Sequence, residues 1–346
     1  MNKKFDFDDI LIQPAEISDI ESRKKVDIYV DGNLPLFTAP MDTVINYSNI
    51  EYFSSNKIIP ILPRTEKNMQ ILYDGWIAIG LDDFIKDYIT ETIKPKNKIL
   101  IDIANGHMRK LLDTVKTSKE KYPNMILMVG NVANPKTYTL LSESGADYIR
   151  IGIGNGGGCL TTEQTGIGYP MASLIRECYE ESCRLNNPAK IVADGGFKKY
   201  ADIIKALALG ADYVMLGSIF NKALESCADT YTQNIKHDWG TEPGEMIDQY
   251  SDTAKLMFKN GSKFFKKFRG MSTKEVQKSL GNETLKTSEG ITRMNQVEYT
   301  LEGWVDNFKH YLSSAMSYTN KPDLKSFIGQ VEYNFISENA FKRFNK

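Results

Sequence analysis

Asp147-Tyr148-Ile149-Arg150-Ile151-Gly152-Ile153-Gly154-Asn155-Gly156-Gly157-Gly158-Cys159-Leu160-Thr161-Thr162 begins as a strand and ends as a loop. Tyr148, Ile149 and Ile151 give the strand its apolar bulk, and five glycines then lead to a single cysteine. Glycine costs backbone entropy, so such a run marks a place where the chain takes positive φ or where something approaches the backbone closely. Backbone N–H groups of a glycine loop can surround a cysteine and favour its nucleophilic thiolate. Taken alone, the loop also reads as a flexible turn with a bystander thiol.

Working outward, the same kind of strand recurs. Leu34–Ala39, Ile58–Leu62, Trp76–Ile79, Lys98–Ile103, Met125–Val129, Tyr148–Ile151, Lys190–Ala193 and Tyr213–Leu216 are short and largely apolar, often with β-branched residues. That is the pattern of strands buried on both faces of a parallel sheet. Between them lie amphipathic stretches such as Met108–Tyr122, Thr137–Ser144, Met171–Leu185 and Lys198–Leu209. Eight strands with mostly helical connections is the count of an α/β fold of the (β/α)₈ TIM barrel type. A doubly wound sheet is the alternative, but it more often stops at about five or six strands.

Composition narrows the function classes. A chain of 346 residues, 41% hydrophobic, can bury a barrel-sized core. The formal charge is -1 with Lys and Arg scattered, so no polyanion-binding surface is expected and nucleic acid is not an expected partner. No run of about 18 apolar residues predicts a membrane span. The start, Met1 to Asp9, lacks the apolar core of a signal peptide. The four cysteines, Cys159, Cys178, Cys183 and Cys227, show neither zinc spacing nor a disulfide framework, so a reducing cytoplasm is the simplest expectation.

Barrel chemistry sits at the C-terminal ends of the strands. Reading those ends gives Met41-Asp42-Thr43, Pro63-Arg64, Asp102 to Gly106, Gly130-Asn131, the Gly152–Cys159 loop, Asp194-Gly195-Gly196 and Gly217-Ser218. Nearly every strand therefore hands a polar residue or a glycine to one face. The last two loops are where such barrels often hold phosphate, on N–H groups freed by glycine with a helix N-terminus behind.

These residues carry a family resemblance. Phe7-Asp8-Asp9-Ile10-Leu11-Ile12-Gln13-Pro14, Ala39-Pro40-Met41-Asp42-Thr43-Val44, Ile101-Asp102-Ile103-Ala104-Asn105-Gly106 and Gly130-Asn131-Val132 stand in order along the chain. They are followed by Gly152-Ile153-Gly154 with Cys159, Thr165 to Pro170, Asp194-Gly195-Gly196, Tyr213 to Gly217 and Arg269-Gly270-Met271-Ser272. The series resembles the inosine-monophosphate dehydrogenase and GMP reductase family. It implies a barrel with an N-terminal extension and with a C-terminal segment packing at the barrel mouth. The reductase branch is the nearer one: no insertion the size of a regulatory domain pair fits between Ile58 and Asp102, so residues 1–346 read as a single barrel domain. Only Ser272–Ser288 separates Gly-Met-Ser from Glu289-Gly290, without the Arg-Tyr pair of a dehydrogenase flap.

The resemblance implies NADPH-dependent deamination of GMP, or a closely related purine nucleotide, to IMP. Cys159 is then the nucleophile, and Thr161 with Glu289 moves protons to the leaving amine. Met41, Asp194, Gly196, Gly217, Ser218, Arg269, Gly270, Met271 and Ser272 match substrate contacts. Asp194 matches the ribose carboxylate; Gly196, Gly217 and Ser218 match the phosphate cradle; Met271 and Ser272 match the base contacts. Asp102, Ala104, Asn105 and Gly106 match the cofactor side. The carbonyls of Gly154, Gly156 and Cys159 match a potassium site, and a homotetramer is the implied assembly.

Plainer readings stand beside these. Asp102 can be an N-cap for a helix near His107, and Met41 and Met271 can be core filler. His107, His237 and His310 lack partners at ligand spacing and read as structural or exposed; Cys178 and Cys183 read as packing residues. The chain also departs from the family. Gly156-Gly157-Gly158 precedes Cys159 where Pro-Gly-Ser is usual, the Arg expected after Thr162 is absent, and Arg64 stands where the reductase has a Lys. An inosine-monophosphate dehydrogenase-like enzyme and a non-catalytic nucleotide-binding relative are therefore the alternatives. Cys159, Thr161 and Glu289 together favour an enzyme, since a binder needs none of them.

Overall fold

The computed structural model describes residues 3–91, 96–232, 235–237, 240–242, 244–281 and 290–344. After a short strand β1 (Ile10–Ile12) come β2 (Leu36–Thr38), β3 (Ile61–Leu62), β4 (Trp76–Ile79), β5 (Lys98–Asp102), β6 (Ile126–Val132), β7 (Tyr148–Ile151), β8 (Lys190–Asp194) and β9 (Tyr213–Leu216). These eight pair in parallel in the order β2-β9-β8-β7-β6-β5-β4-β3. A bridge between Phe37 and Ile59 joins β2 to the residues entering β3 and closes the ring. The (β/α)₈ barrel expected from the eight apolar runs is the fold.

Alternation along each strand explains why the runs are apolar throughout. Ile61, Ala78, Leu100, Met128, Val192 and Met215 belong to a cluster built only of strand and strand-flanking residues, the barrel interior. Their neighbours Leu62, Ile77, Ile99, Leu127 and Ile191 face outward into a larger cluster shared with the helices. In the interior, Phe37 meets Trp76 and Tyr148 edge-on, with ring centroids 5.8 and 6.1 Å apart.

The helices Arg109–Lys121, Pro135–Glu143, Met171–Ser182 and Tyr200–Leu209 follow their strands; the first two bury one face each, whereas the start of the third and nearly all of the fourth are buried all round. Asn134 caps the second, accepting the Lys136 N–H at 2.9 Å, and Pro135 stands at its first turn. Met171–Ser182 ends before Cys183, so Cys178 is buried as a packing residue while Cys183 is exposed. Leu301–Tyr318 completes the helical layer. Leu301, Trp304, Val305, Phe308, Leu312 and Met316 form its buried stripe, and Trp304 stacks on Tyr200.

Between β9 and that last helix the chain builds a separate sheet. β10 (Thr230–Tyr231), β13 (Met246–Ile247), β14 (Phe265–Arg269) and β15 (Thr292–Gln296) pair antiparallel in the order β13-β10-β14-β15; β11 (Ile235–His237) and β12 (Gly240–Glu242) form a ribbon. Lys266 on β14 is fully buried and donates to the carbonyls of Leu224 and Ser226 at 2.8 and 2.6 Å. The part of the C-terminal half that meets the barrel loops is this sheet and its flanks. The far end of the chain instead returns as β16 (Tyr333–Phe335), antiparallel to β1.

Candidate active site

Cys159 ends the glycine loop after β7 and is partly buried. Its thiol donates to the Thr161 hydroxyl at 3.2 Å. Earlier in the loop, Gly152 and Gly154 take positive φ of 126° and 80°. From across the mouth, Gly290 forms a β-bridge with Cys159, and the Ile291 N–H donates to the Gly158 carbonyl at 3.1 Å. Gly270 donates to Ile291 at 3.0 Å, and a Cβ on Gly270 would lie 2.5 Å from the Gly158 oxygen. The Gly290–Ile291 segment is thus stitched to the cysteine loop backbone to backbone, and Gly270 is stitched in turn to Ile291. Glu289 and the stretch 282–288 before it lie outside the described residues.

Beneath the loop lies a charge cluster. Arg150 on β7 donates through Nε to Asp194 at 2.9 Å and through Nη1 to Asp102 at 2.6 Å. Asn131, at the end of β6, donates to the same Asp194 oxygen and to the Gly152 carbonyl, both at 2.9 Å. Burial works against the Arg150 charge, but Asp194 and Asp102 outweigh it and raise its pKa above the usual arginine value. Asp102 is therefore no helix cap: its carboxylate meets Arg150, and the residue before the helix Arg109–Lys121 is Met108. Asn131 was expected only as a strand end on this face, and Arg150 was not expected in the site. The available signal was the charge itself, since a cation inside a buried parallel strand requires anionic partners.

The remaining residues rim the same face. Gly196 has a φ of 89° and faces Asn155; Gly217 leaves room for Met41, whose sulfur would sit 2.9 Å from a Cβ there; Ser218 follows. Arg269 is engaged within the protein, pairing with Asp42 at 2.6 Å and with Glu275, which also takes Lys267 at 2.9 Å. Its pKa is raised because these carboxylates outweigh its burial. Arg269 holds the turn Gly270-Met271-Ser272 in place instead of presenting a free cation. Ala104 and Asn105 are exposed beyond β5, while Gly106 is buried against Asn131 and Val132. Arg64 lays its guanidinium against Gly80, its Nε without a hydrogen bond among the described residues. His107 is structural: its ring meets the Thr137 hydroxyl at 3.0 Å and accepts the Ala133 N–H at 3.1 Å. His310 is exposed, and the His237 side chain lies outside the described residues.

A closed parallel barrel whose strand ends gather a cysteine, a hydroxyl and a partly buried carboxylate–guanidinium cluster defines a (β/α)₈-barrel enzyme with its site at the C-terminal face. The profile of the IMP dehydrogenase / GMP reductase domain matches residues 77–344, and the chain belongs to that family. A GMP reductase of Lactobacillus acidophilus is 30% identical over 357 residues, covering 97% of this chain and 96% of its own. One of Caenorhabditis elegans is 29% identical over 360 residues, covering 95% and 91%. An inosine-5'-monophosphate dehydrogenase of Chlorobaculum parvum is 45% identical over 132 residues, covering 38% of this chain and 26% of its own. No helix among the described residues is long and apolar enough to cross a membrane.

Proposed function

We propose that the protein catalyses the NADPH-dependent reductive deamination of GMP, or a closely related purine nucleotide, to IMP and ammonia. The observation that carries the reading is the Cys159 thiol in contact with the Thr161 hydroxyl, with Gly290 bridged to the same cysteine. Cys159 attacks C2 of the base and makes that carbon tetrahedral. The amino group leaves once protonated, and Thr161 with Glu289 delivers the proton. The Gly290 bridge supports Glu289 in this role, because it brings the adjoining backbone to the nucleophile. Loss of ammonia leaves a covalent thioimidate at Cys159. Hydride addition at C2 then expels the thiolate and releases IMP.

A reduced nicotinamide supplies that hydride when bound. Asp102, Ala104, Asn105 and Gly106 fit its side of the mouth: Ala104 and Asn105 offer an exposed edge, and Asp102 is held by Arg150. Asp194, oriented by Arg150 and Asn131, suits a pair of ribose hydroxyls. Met41, Gly196, Gly217, Ser218, Gly270, Met271 and Ser272 line the substrate side, and Arg269 acts by positioning its turn. The carbonyls of Gly154, Gly156 and Cys159 are the groups that would hold a potassium ion; Gly156 also accepts the Cys159 N–H at 3.0 Å, which leaves its second lone pair for an ion. No step depends on it. Residues 1–346 read as one barrel domain, and a homotetramer is the expected assembly.

The test is turnover of NADPH followed at the nicotinamide absorbance across a panel of purine nucleotides. GMP should give IMP and ammonia, and Cys159→Ala should abolish turnover while GMP still binds. A variant within a few-fold of the parent would remove Cys159 from its role. Binding of nucleotide without turnover by the parent would favour the non-catalytic alternative.

A further inference from the structure

We infer that Arg293 binds the phosphomonoester of the purine nucleotide, beside Ser218 and the Gly156–Gly158 loop. The inference rests on the nucleotide reading above and adds a residue that no motif indicated.

Three groups converge on one small volume. A Cβ placed on Gly157 would lie 3.3 Å from Arg293 Nη2 and 3.8 Å from the Ser218 hydroxyl oxygen. Any side chain at residue 157 would press on the guanidinium; glycine leaves that space to a ligand. No hydroxyl stands among Gly156, Gly157 and Gly158, so the loop offers backbone N–H groups only. Arg293 brings the charge that the loop lacks.

Its aim is fixed by the protein. Arg293 sits opposite Phe268 in the β14–β15 ladder, with the guanidinium carbon 5.1 Å from the ring centroid. Nε donates to Asn295 at 3.0 Å, and Asn295 donates to Asn221 at 2.8 Å. Both asparagines are buried, and Asn221 belongs to the same short helix that Ser218 begins. Asn221 is tied in turn to the carbonyls of Thr43 and Lys267 at 2.8 and 3.1 Å. The hydroxyl and the guanidinium are therefore anchored to one frame.

The charge is also uncommitted. Arg150 and Arg269 are each engaged by two carboxylates, whereas Arg293 forms no ion pair among the described residues. Its two Nη groups remain available for a bidentate oxyanion, the geometry in which arginine surpasses lysine. A phosphomonoester here has two sources, the 5′-phosphate of the substrate and the 2′-phosphate of NADPH. The position beside Ser218, on the substrate side of the mouth, favours the substrate.

Equilibrium titration of the intact protein and of Arg293→Gln separates these cases. GMP, guanosine, inorganic phosphate, NADPH and NADH are the probes. The variant should bind GMP roughly 10- to 100-fold more weakly, the range for a lost charge-assisted contact. Guanosine affinity and the NADPH-to-NADH ratio should not change, and phosphate should compete with GMP only in the parent. Arg293→Lys, which keeps the charge, should recover part of the loss with an unchanged unfolding midpoint. GMP affinity unchanged in Arg293→Gln overturns the inference, as does a loss confined to NADPH. Arg293-dependent binding of inorganic phosphate in a protein that never turns GMP over would uphold the phosphate site and sink the reductase reading. Absence of binding by every phosphorylated probe sinks both.

Discussion

At Cys159 the thiol has a hydroxyl for its neighbour and a foreign strand end across the mouth. The hydroxyl can relay a proton but cannot supply one at neutral pH, so a titratable partner is required. Glu289 is that partner in the proposed reaction. Glu289→Gln keeps shape and hydrogen bonding but removes the titratable proton, so kcat should fall by roughly 10²–10⁴-fold with nucleotide affinity little changed. Thr161→Val should lose a similar factor, and the double variant should be little worse than either, because the pair acts as one unit. Undiminished turnover in Glu289→Gln would end the relay. Cys159 was legible in the sequence because glycine runs and lone thiols are visible as letters. Arg150 lies in the same stretch but its role is not legible there, since the carboxylates that explain it come from other strands. Arg293 had no signal: its environment arises only when β15 is laid against β14.

The mouth sheet is held at its base by a buried amine. Lys266 lies inside β14, and burial pushes its pKa down to about 7 despite nearby Cys227 and Glu225, far below the usual lysine range. Between about pH 7 and the usual lysine pKa, the unfolded chain binds a proton that the folded chain does not. Stability therefore rises with pH across that window, and the cost of burying the charge is present in full below it. Lys266→Met should flatten this segment of the curve when denaturant midpoints are measured at several pH values. Parallel curves for parent and variant would show that Lys266 does not titrate there. At this scale the barrel strands were readable because each is apolar on both faces. β4, β7 and β9 begin and end where the apolar runs do. The mouth sheet was not readable, since β10 and β13 have two residues each and β14 mixes Lys266, Lys267 and Arg269 into its run. Its pairing is set by long-range contacts such as Thr230 with Lys266, which periodicity along one segment cannot report.

Across the whole molecule, the relatives pull in two directions. Long alignments at 29–30% identity are with GMP reductases, while a short stretch agrees more closely with a dehydrogenase. The direction of the reaction decides between them. Incubated with IMP and an oxidised nicotinamide, the protein should make little xanthosine monophosphate, because Ser272–Ser288 carries no Arg-Tyr pair to activate water. Robust production would make it a dehydrogenase. The barrel was predictable because its count of strands is a property of order along the chain; the pairing of β1 with β16 was not, because nothing in Ile10–Ile12 or Tyr333–Phe335 points to the other. That pairing has its own consequence for how the molecule is made. Tyr333–Phe335 is translated over three hundred residues after its partner Ile10–Ile12. Until then β1 waits unpaired, and a chain cut short before β16 leaves that strand with no ladder to join.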